Sequence, residues 1–253
     1  MKTLLLATLP LGLALSAVAE DAKPFTLRSG PKQIPLIELF TSEGCSSCPP
    51  AEKWLGELTD TPGLWRDFVP VAWHVDYWDG LGWPDRFASK ANTQRQEHYS
   101  AAWRSPSIYT PGFVLDGAEW RGWGRSLDLG KSAKADAGTL ELKATGADQF
   151  TVTFTRPAGT EGDFTATLAW LGNGLVSEVR RGENAGRKLR HNFIVLGSAT
   201  AKLTPHDGQA TGILKLPHPH ERDSAKLAVA AWVSRPGGPA PIQAVGGWWT
   251  AKE

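Results

Sequence analysis

Between an apolar run and an amphipathic one lies Phe40-Thr41-Ser42-Glu43-Gly44-Cys45-Ser46-Ser47-Cys48-Pro49-Pro50, which holds both cysteines of the chain. The preceding run, Ile34 to Phe40, reads as a buried strand. Pro49 and Pro50 suit the first turn of a helix, where a missing N–H costs nothing. Ala51, Trp54, Leu55 and Leu58 then recur at 3–4 spacing and predict one apolar helical stripe, ended at Thr61-Pro62-Gly63. A strand, two cysteines three apart and a helix start are thus fixed within 25 residues. Few folds accommodate that order.

Phe68 to Val75 predicts a second apolar strand, followed by the aromatic loop Asp76 to Pro84. Residues 88–103 are helix-permissive. Phe113–Leu115 and Glu119–Trp123 flank an Asp116-Gly117 turn, and residues 126–136 suit a further helix. Strand, helix, strand and hairpin in this order predict an α/β layer fold. From Gly138 the pattern changes to alternation of apolar and polar residues, as in Phe150-Thr151-Val152-Thr153-Phe154. Strand candidates follow at Leu140–Lys143, Phe164–Leu171, Leu175–Val179, Leu189–Leu196, Gly212–Leu216, Lys226–Val233 and Ile242–Trp249. Short strands separated by turn signals predict an antiparallel β-rich, sandwich-like domain. The expected division is therefore residues 33–137 and 138–253, with the boundary near Ala137.

The N-terminus has a basic start at Lys2, an apolar run from Leu4 to Leu15 and the triplet Ala17-Val18-Ala19. These are the parts of a secretory signal peptide, expected to occupy residues 1–19. The apolar run is shorter than the roughly 20 residues that span a bilayer. A periplasmic or secreted protein with no membrane span in the mature chain is expected. Removal of residues 1–19 takes one of 27 basic residues and no acid, leaving them balanced against 26 acidic ones. That balance offers no electrostatic case for nucleic acid or an anionic membrane.

In an oxidising compartment the cysteine pair admits three readings. A pair set at a helix start is suited to redox exchange, because helix-terminal N–H groups stabilise a thiolate at Cys45 and Cys48 follows one turn on. The partners would be protein thiols and disulfides or a small thiol. A zinc site would need two further ligands at good spacing, and none is adjacent. As an inert staple the bridge would be weak, since so short a loop restricts the unfolded chain little. Glu38 is an acid inside an apolar strand, which is costly to bury. His74 and Asp76 end the second strand near the expected position of the cysteines. His218-Pro219-His220 forms a Pro-flanked pair, and Arg180 to Lys188 a charged, Gly-punctuated loop. Of the 12 tryptophans, Trp73 reads as core and Trp78 or Trp83 as the rim of a site.

Tyr109-Thr110-Pro111-Gly112-Phe113-Val114-Leu115 resembles the thioredoxin-fold segment in which a cis-proline opens a strand facing a cysteine pair. That resemblance implies Pro111 beside the sulfurs and Thr110 offering its backbone to a bound partner. It also likens Glu38 to the buried acid that moves protons beneath such a pair. Cys45, Cys48 and His74 together resemble the ligand set of thioredoxin-like copper chaperones, and soft sulfur suits Cu(I). More narrowly, the residues from Glu38 to Pro50, His74 to Asp79, Tyr109 to Pro111 and Arg181 to Asn184 resemble the domain-of-unknown-function 1223 family. The resemblance implies an α/β thioredoxin-like domain in an exported bacterial protein. The function expected is thiol–disulfide exchange, with Cys45 as nucleophile and Cys48 as resolving thiol. A metal-binding protein and a non-catalytic binding module remain alternatives.

Overall fold

A computed structural model describes residues 25–124, 135–220 and 224–250. The expected signal peptide and the segment 126–134 of the expected helix lie outside the described residues. The N-terminal half runs β1 (Thr26–Arg28), β2 (Leu36–Thr41), α1 (Pro49–Glu57), β3 (Val69–His74), α2 (Lys90–Trp103), β4 (Gly112–Leu115) and β5 (Ala118–Glu119). Then come β6 (Thr139–Ala144), β7 (Gln149–Thr155), β8 (Phe164–Asn173), β9 (Leu175–Glu178) and β10 (Lys188–His191). The chain continues with β11 (Ile194–His206), β12 (Gln209–Lys215), β13 (Lys226–Ser234) and β14 (Pro241–Trp248). Two prolines open α1, and Ser89 caps α2 by accepting from the Asn92 N–H.

The expectation of an α/β thioredoxin-like domain followed by a separate β-rich, sandwich-like one is overturned. Twelve strands form one mixed sheet, and β9 and β10 pair with each other in a second. The junction is β11. Its Ile194 pairs in parallel with Ala72 of β3, residues Ile194–Leu203 pair antiparallel with β8, and Thr204–His206 pair with β12. At the N-terminal end β1 joins β6. The sheet therefore crosses the boundary placed near Ala137.

The physical reason lies in what covers β2 and β3. Both strands are buried along their whole length, on both faces. One face, with Ile37, Leu39 and Ala72, packs under α1 residues Ala51 and Leu55 and against Phe193. The other, with Leu36, Phe40, Val69, Val71 and Trp73, is closed largely by strands: Ala169 and Leu171 of β8, Ala228, Ala230 and Trp232 of β13, and Ala244 of β14. Alanines there allow strands to approach closely, so the second half of the chain occupies the place that helices would fill in an α/β layer. Gln243, fully buried, ties the halves further. Its Oε1 accepts from the Ile34 N–H (2.8 Å), and its Nε2 donates to the carbonyls of Lys32 (3.0 Å) and Gly138 (2.7 Å).

Candidate functional site

Side chains alternate along strands. The face of β2 that carries Ile37 and Leu39 also carries Thr41, and the face of β3 that carries Ala72 also carries His74. Thr41 and His74 are register partners. Both therefore lie on the side covered by α1, at the ends of strands from which the cysteine loop and the aromatic loop depart.

Cys45 and Cys48 are bonded to each other across a Cα–Cα distance of 5.4 Å. Cys48 is the N-cap residue of α1, and its carbonyl accepts from the N–H groups of Ala51 (2.9 Å) and Glu52 (3.1 Å). Cys45 Sγ lies 3.4 Å from Ser47 Oγ. Both cysteines are fully buried, whereas Ser46 and Ser47 are exposed. The cover comes from the charged loop between β9 and β10. Asn184, itself buried, donates Nδ2 to the carbonyls of Glu43 (2.8 Å) and Cys45 (2.9 Å). Glu183 accepts from the Ser46 N–H at 3.2 Å. Gly182 turns this loop at a φ of +77°, and a Cβ there would stand 3.2 Å from the Trp83 Cβ.

Trp83 donates Nε1 to Glu43 Oε2 (2.6 Å), and Trp78 donates Nε1 to Thr110 Oγ1 (2.8 Å). A Cβ on Gly44 would lie 3.0 Å from the Trp78 Cβ, so Trp78 packs directly on the cysteine loop. Both rings are half-buried at the rim, and Trp73 is core. Thr110-Pro111 is a cis peptide. The next residue, Gly112, pairs with Phe40, which places Pro111 at the end of β2 from which the cysteine loop leaves.

Glu38 is on the opposite face of β2 from Ile37, Leu39 and α1. It accepts from Trp73 Nε1 (2.8 Å), from Arg95 Nε (2.5 Å) and Nη2 (2.9 Å), and from the Tyr99 hydroxyl. Its partners are thus on β3 and α2, not at the cysteine pair. Those contacts raise Arg95 despite its burial and, with burial, hold the Tyr99 hydroxyl protonated well above the usual phenol range.

The acids beneath α1 are others. Glu52 accepts from Thr41 Oγ1 (2.7 Å) through Oε1 and pairs with His191 Nδ1 through Oε2. His191 Nε2 stands 3.2 Å from Glu43 Oε1, within ion-pair range but without hydrogen-bond alignment. His74 Nδ1 pairs with Asp85 Oδ2 (2.6 Å), which also accepts from the Glu43 N–H (2.8 Å). The two imidazoles meet edge to face, with centroids 5.2 Å apart. All five groups are buried. Burial alone would lower His191, but the Glu52 charge, the facing Glu43 carboxylate and the hydrogen bond to Glu52 outweigh it and lift it to about 10. Burial likewise opposes a charged His74, and Asp85 prevails and raises it. Glu52 and Asp85, which burial would raise, are held below the usual carboxylate range by the histidines.

The close ionisable neighbours of His74 are Asp85, Glu52 and His191, and the cysteines are bonded to each other. His218 packs at a tilt against Trp170, with ring centroids 4.9 Å apart. Glu43, Glu52, Asp85 and His191 were missed in the sequence. A signal for two of them was present. Glu52 shares the helical stripe of Cys48 and Leu55, and His191 shares the alternation phase of Leu189; each is a charged group in an apolar pattern.

These features define a strand-built protein whose one disulfide sits roofed at a helix start, above a buried histidine–carboxylate cluster. The chain belongs to the family described as a protein of unknown function, DUF1223, whose profile matches residues 36–234. None of the curated proteins compared with it matches. Among solved structures it is similar to a protein of Agrobacterium tumefaciens, at 24% identity and a TM-score of 0.59, covering 89% of this chain and 98% of that one. It is also similar to HBP35 of Porphyromonas gingivalis, at 20% identity and a TM-score of 0.59, covering 87% of this chain and 76% of that one. Likeness at these identities concerns the fold alone. No helix among the described residues is long and apolar enough to cross a membrane.

Proposed function

We propose that the protein is an exported thiol–disulfide oxidoreductase acting through Cys45 and Cys48 on protein thiols or a small thiol. The observation that supports this reading is the seating of the disulfide at the N-terminus of α1, with Cys48 as the N-cap. A bridge across three positions adds little as a staple. At a helix start it gains a leaving group, since the positive end of the helix stabilises a thiolate.

In the oxidised chain a partner thiolate attacks Cys45 Sγ. The Cys45–Cys48 bond breaks, and its electron pair leaves on Cys48 as a thiolate. A second partner thiol, deprotonated, then attacks the partner sulfur of the mixed disulfide and releases Cys45. The partner is oxidised by two electrons and the chain is reduced to a dithiol. In reverse, the Cys45 thiolate attacks a partner disulfide and Cys48 resolves the intermediate. Because both sulfurs are buried, either direction requires a local opening of the segments packed around them, and the loop that Asn184 pins to the cysteine segment is one such segment.

Single-cysteine variants test the order of attack. Cys48→Ser is expected to accumulate mixed disulfides with a disulfide-bonded model substrate through Cys45, the substrate's other sulfur leaving as a thiolate. Cys45→Ser, left with the sulfur inside the helix cap, should trap several-fold fewer. Equal trapping by the two variants, read by non-reducing mass spectrometry, contradicts the assignment of Cys45 as nucleophile.

A further inference from the structure

We infer that Glu52, His74 and His191 form a binding site for a divalent metal ion with the ligand preferences of Zn²⁺. One ligand atom from each lies within 4.8 Å of the others, and all three residues are buried. They come from α1, β3 and β10, three elements that pack together, so the group is held by framework and not by a free loop.

The hydrogen-bond pattern singles out the atoms. His74 Nδ1 is engaged by Asp85, which leaves Nε2. That nitrogen is fully buried and has no hydrogen-bond partner among the described residues. His191 Nε2 faces Glu43, which leaves Nδ1; Glu52 Oε1 is held by Thr41, which leaves Oε2. Two imidazole nitrogens and one carboxylate oxygen remain, and each ligand is backed on its far side by Asp85, Glu43 or Thr41. Carboxylates behind metal-bound histidines fix the tautomer and ring direction, and their loss costs about 10–100-fold in affinity. Two histidines and a glutamate with an open fourth position is a zinc ligand set. Without thiolate in the set, Cu(I) is not favoured.

Bond lengths of about 2.1 Å place tetrahedral ligands roughly 3.4 Å apart, so the longest separations must close by up to about 1.4 Å, while the hydrogen-bonded Glu52 Oε2 and His191 Nδ1 must move apart to admit the ion. The ion would replace the hydrogen bond between Glu52 Oε2 and His191 Nδ1, and binding would release a proton to solvent. A cleft between α1 and β10, lined by Pro49, Glu52, Lys53, Leu189 and Arg190, gives a route to Glu52. The proposal stands apart from the thiol chemistry, and its test uses the disulfide-bonded protein, in which no thiolate is present to bind metal.

Chelator-treated, oxidised protein is titrated with Zn²⁺ by calorimetry in two buffers of different ionisation enthalpy, and separately with Co²⁺ by visible absorption. Expected are one equivalent of Zn²⁺ bound with proton release and the intense visible bands of four-coordinate Co²⁺. His74→Gln should weaken binding roughly 100-fold or more, and Asp85→Asn about 10–100-fold. His218→Gln, whose ring packs on Trp170 and is not a member of the cluster, should leave it unchanged. Absence of stoichiometric Zn²⁺ and Co²⁺ binding by the unsubstituted chain overturns the proposal without recourse to any variant. It would mark the cluster as an ion-pair network only. Binding that survives His74→Gln, or is lost with His218→Gln, overturns it equally.

Discussion

Replacing Glu38 with alanine is expected to destabilise the protein by about 3–5 kcal/mol, the cost of leaving a buried charge without its partner. Glu38 is fully buried, and Arg95 reaches it with two nitrogens. The guanidinium lies 5.1 Å from the Trp73 ring centroid and 4.9 Å from that of Trp232. It cannot turn to water without vacating that aromatic slot. The Trp73 N–H and one bond of the Tyr99 hydroxyl also lose their acceptor. Domains of this kind are stable by about 5–15 kcal/mol, so the loss is a large fraction of the whole and should be plain as a lower denaturation midpoint. Glu38→Gln keeps the shape and one acceptor oxygen and should cost less. A role in proton transfer to the cysteine pair makes a different forecast: Glu38→Gln would slow thiol exchange while stability held. On the structure, exchange per folded molecule should match that of the unsubstituted chain, because Glu38 is on the face of β2 turned away from α1.

Strand parity explains both what the sequence revealed and what it concealed. The apolar runs at β2 and β3, the two prolines and the stripe of α1 are local signals, and each element forms close to its expected limits. The parity that moves Glu38 away from the cysteines is equally local, since Ile37 and Leu39 face the helix and their neighbour cannot. Long-range pairing leaves no such mark. Leu189–Leu196 reads as one strand, but Phe193 takes a φ of +59° and breaks it into β10 and β11. The remainder of β11 is half-exposed and polar through Ser198, Thr200 and Lys202, with little apolar signal. Yet this strand joins β3, β8 and β12 and makes one sheet of two apparent domains. The candidate site divides in the same way. Its cysteines are legible as a motif, whereas Glu52 and His191 are separated by 139 positions and meet only because β10 packs against α1.

Replacing Asn184 with alanine is expected to speed reduction of the Cys45–Cys48 bond by a small thiol about 10–100-fold. Neither sulfur is exposed, so attack must follow a local opening, and its rate tracks the open population when reclosing is fast. Two hydrogen bonds from Nδ2 hold the carbonyls of Glu43 and Cys45, on either side of Gly44. Truncation leaves both carbonyls buried without that donor, a cost of about 1–3 kcal/mol per unsatisfied group. Cys45 O keeps the Cys48 N–H at 3.2 Å, so the lower part of the range applies to it. A net loss of about 1.4–2.8 kcal/mol raises the open population 10–100-fold, at 1.36 kcal/mol per decade. Glu183→Gln serves as the comparison. It retains an oxygen for the exposed Ser46 N–H, and exposed bonds of this sort contribute little, so its reduction rate should stay within about threefold of the parent. The measurement is the pseudo-first-order rate of thiol-dependent reduction, with unfolding followed in parallel to separate local from global opening. If Asn184→Ala is reduced at the parental rate while equally folded, the loop between β9 and β10 does not gate the sulfurs. The nucleophile must then reach them from the side of Trp78 and Thr110.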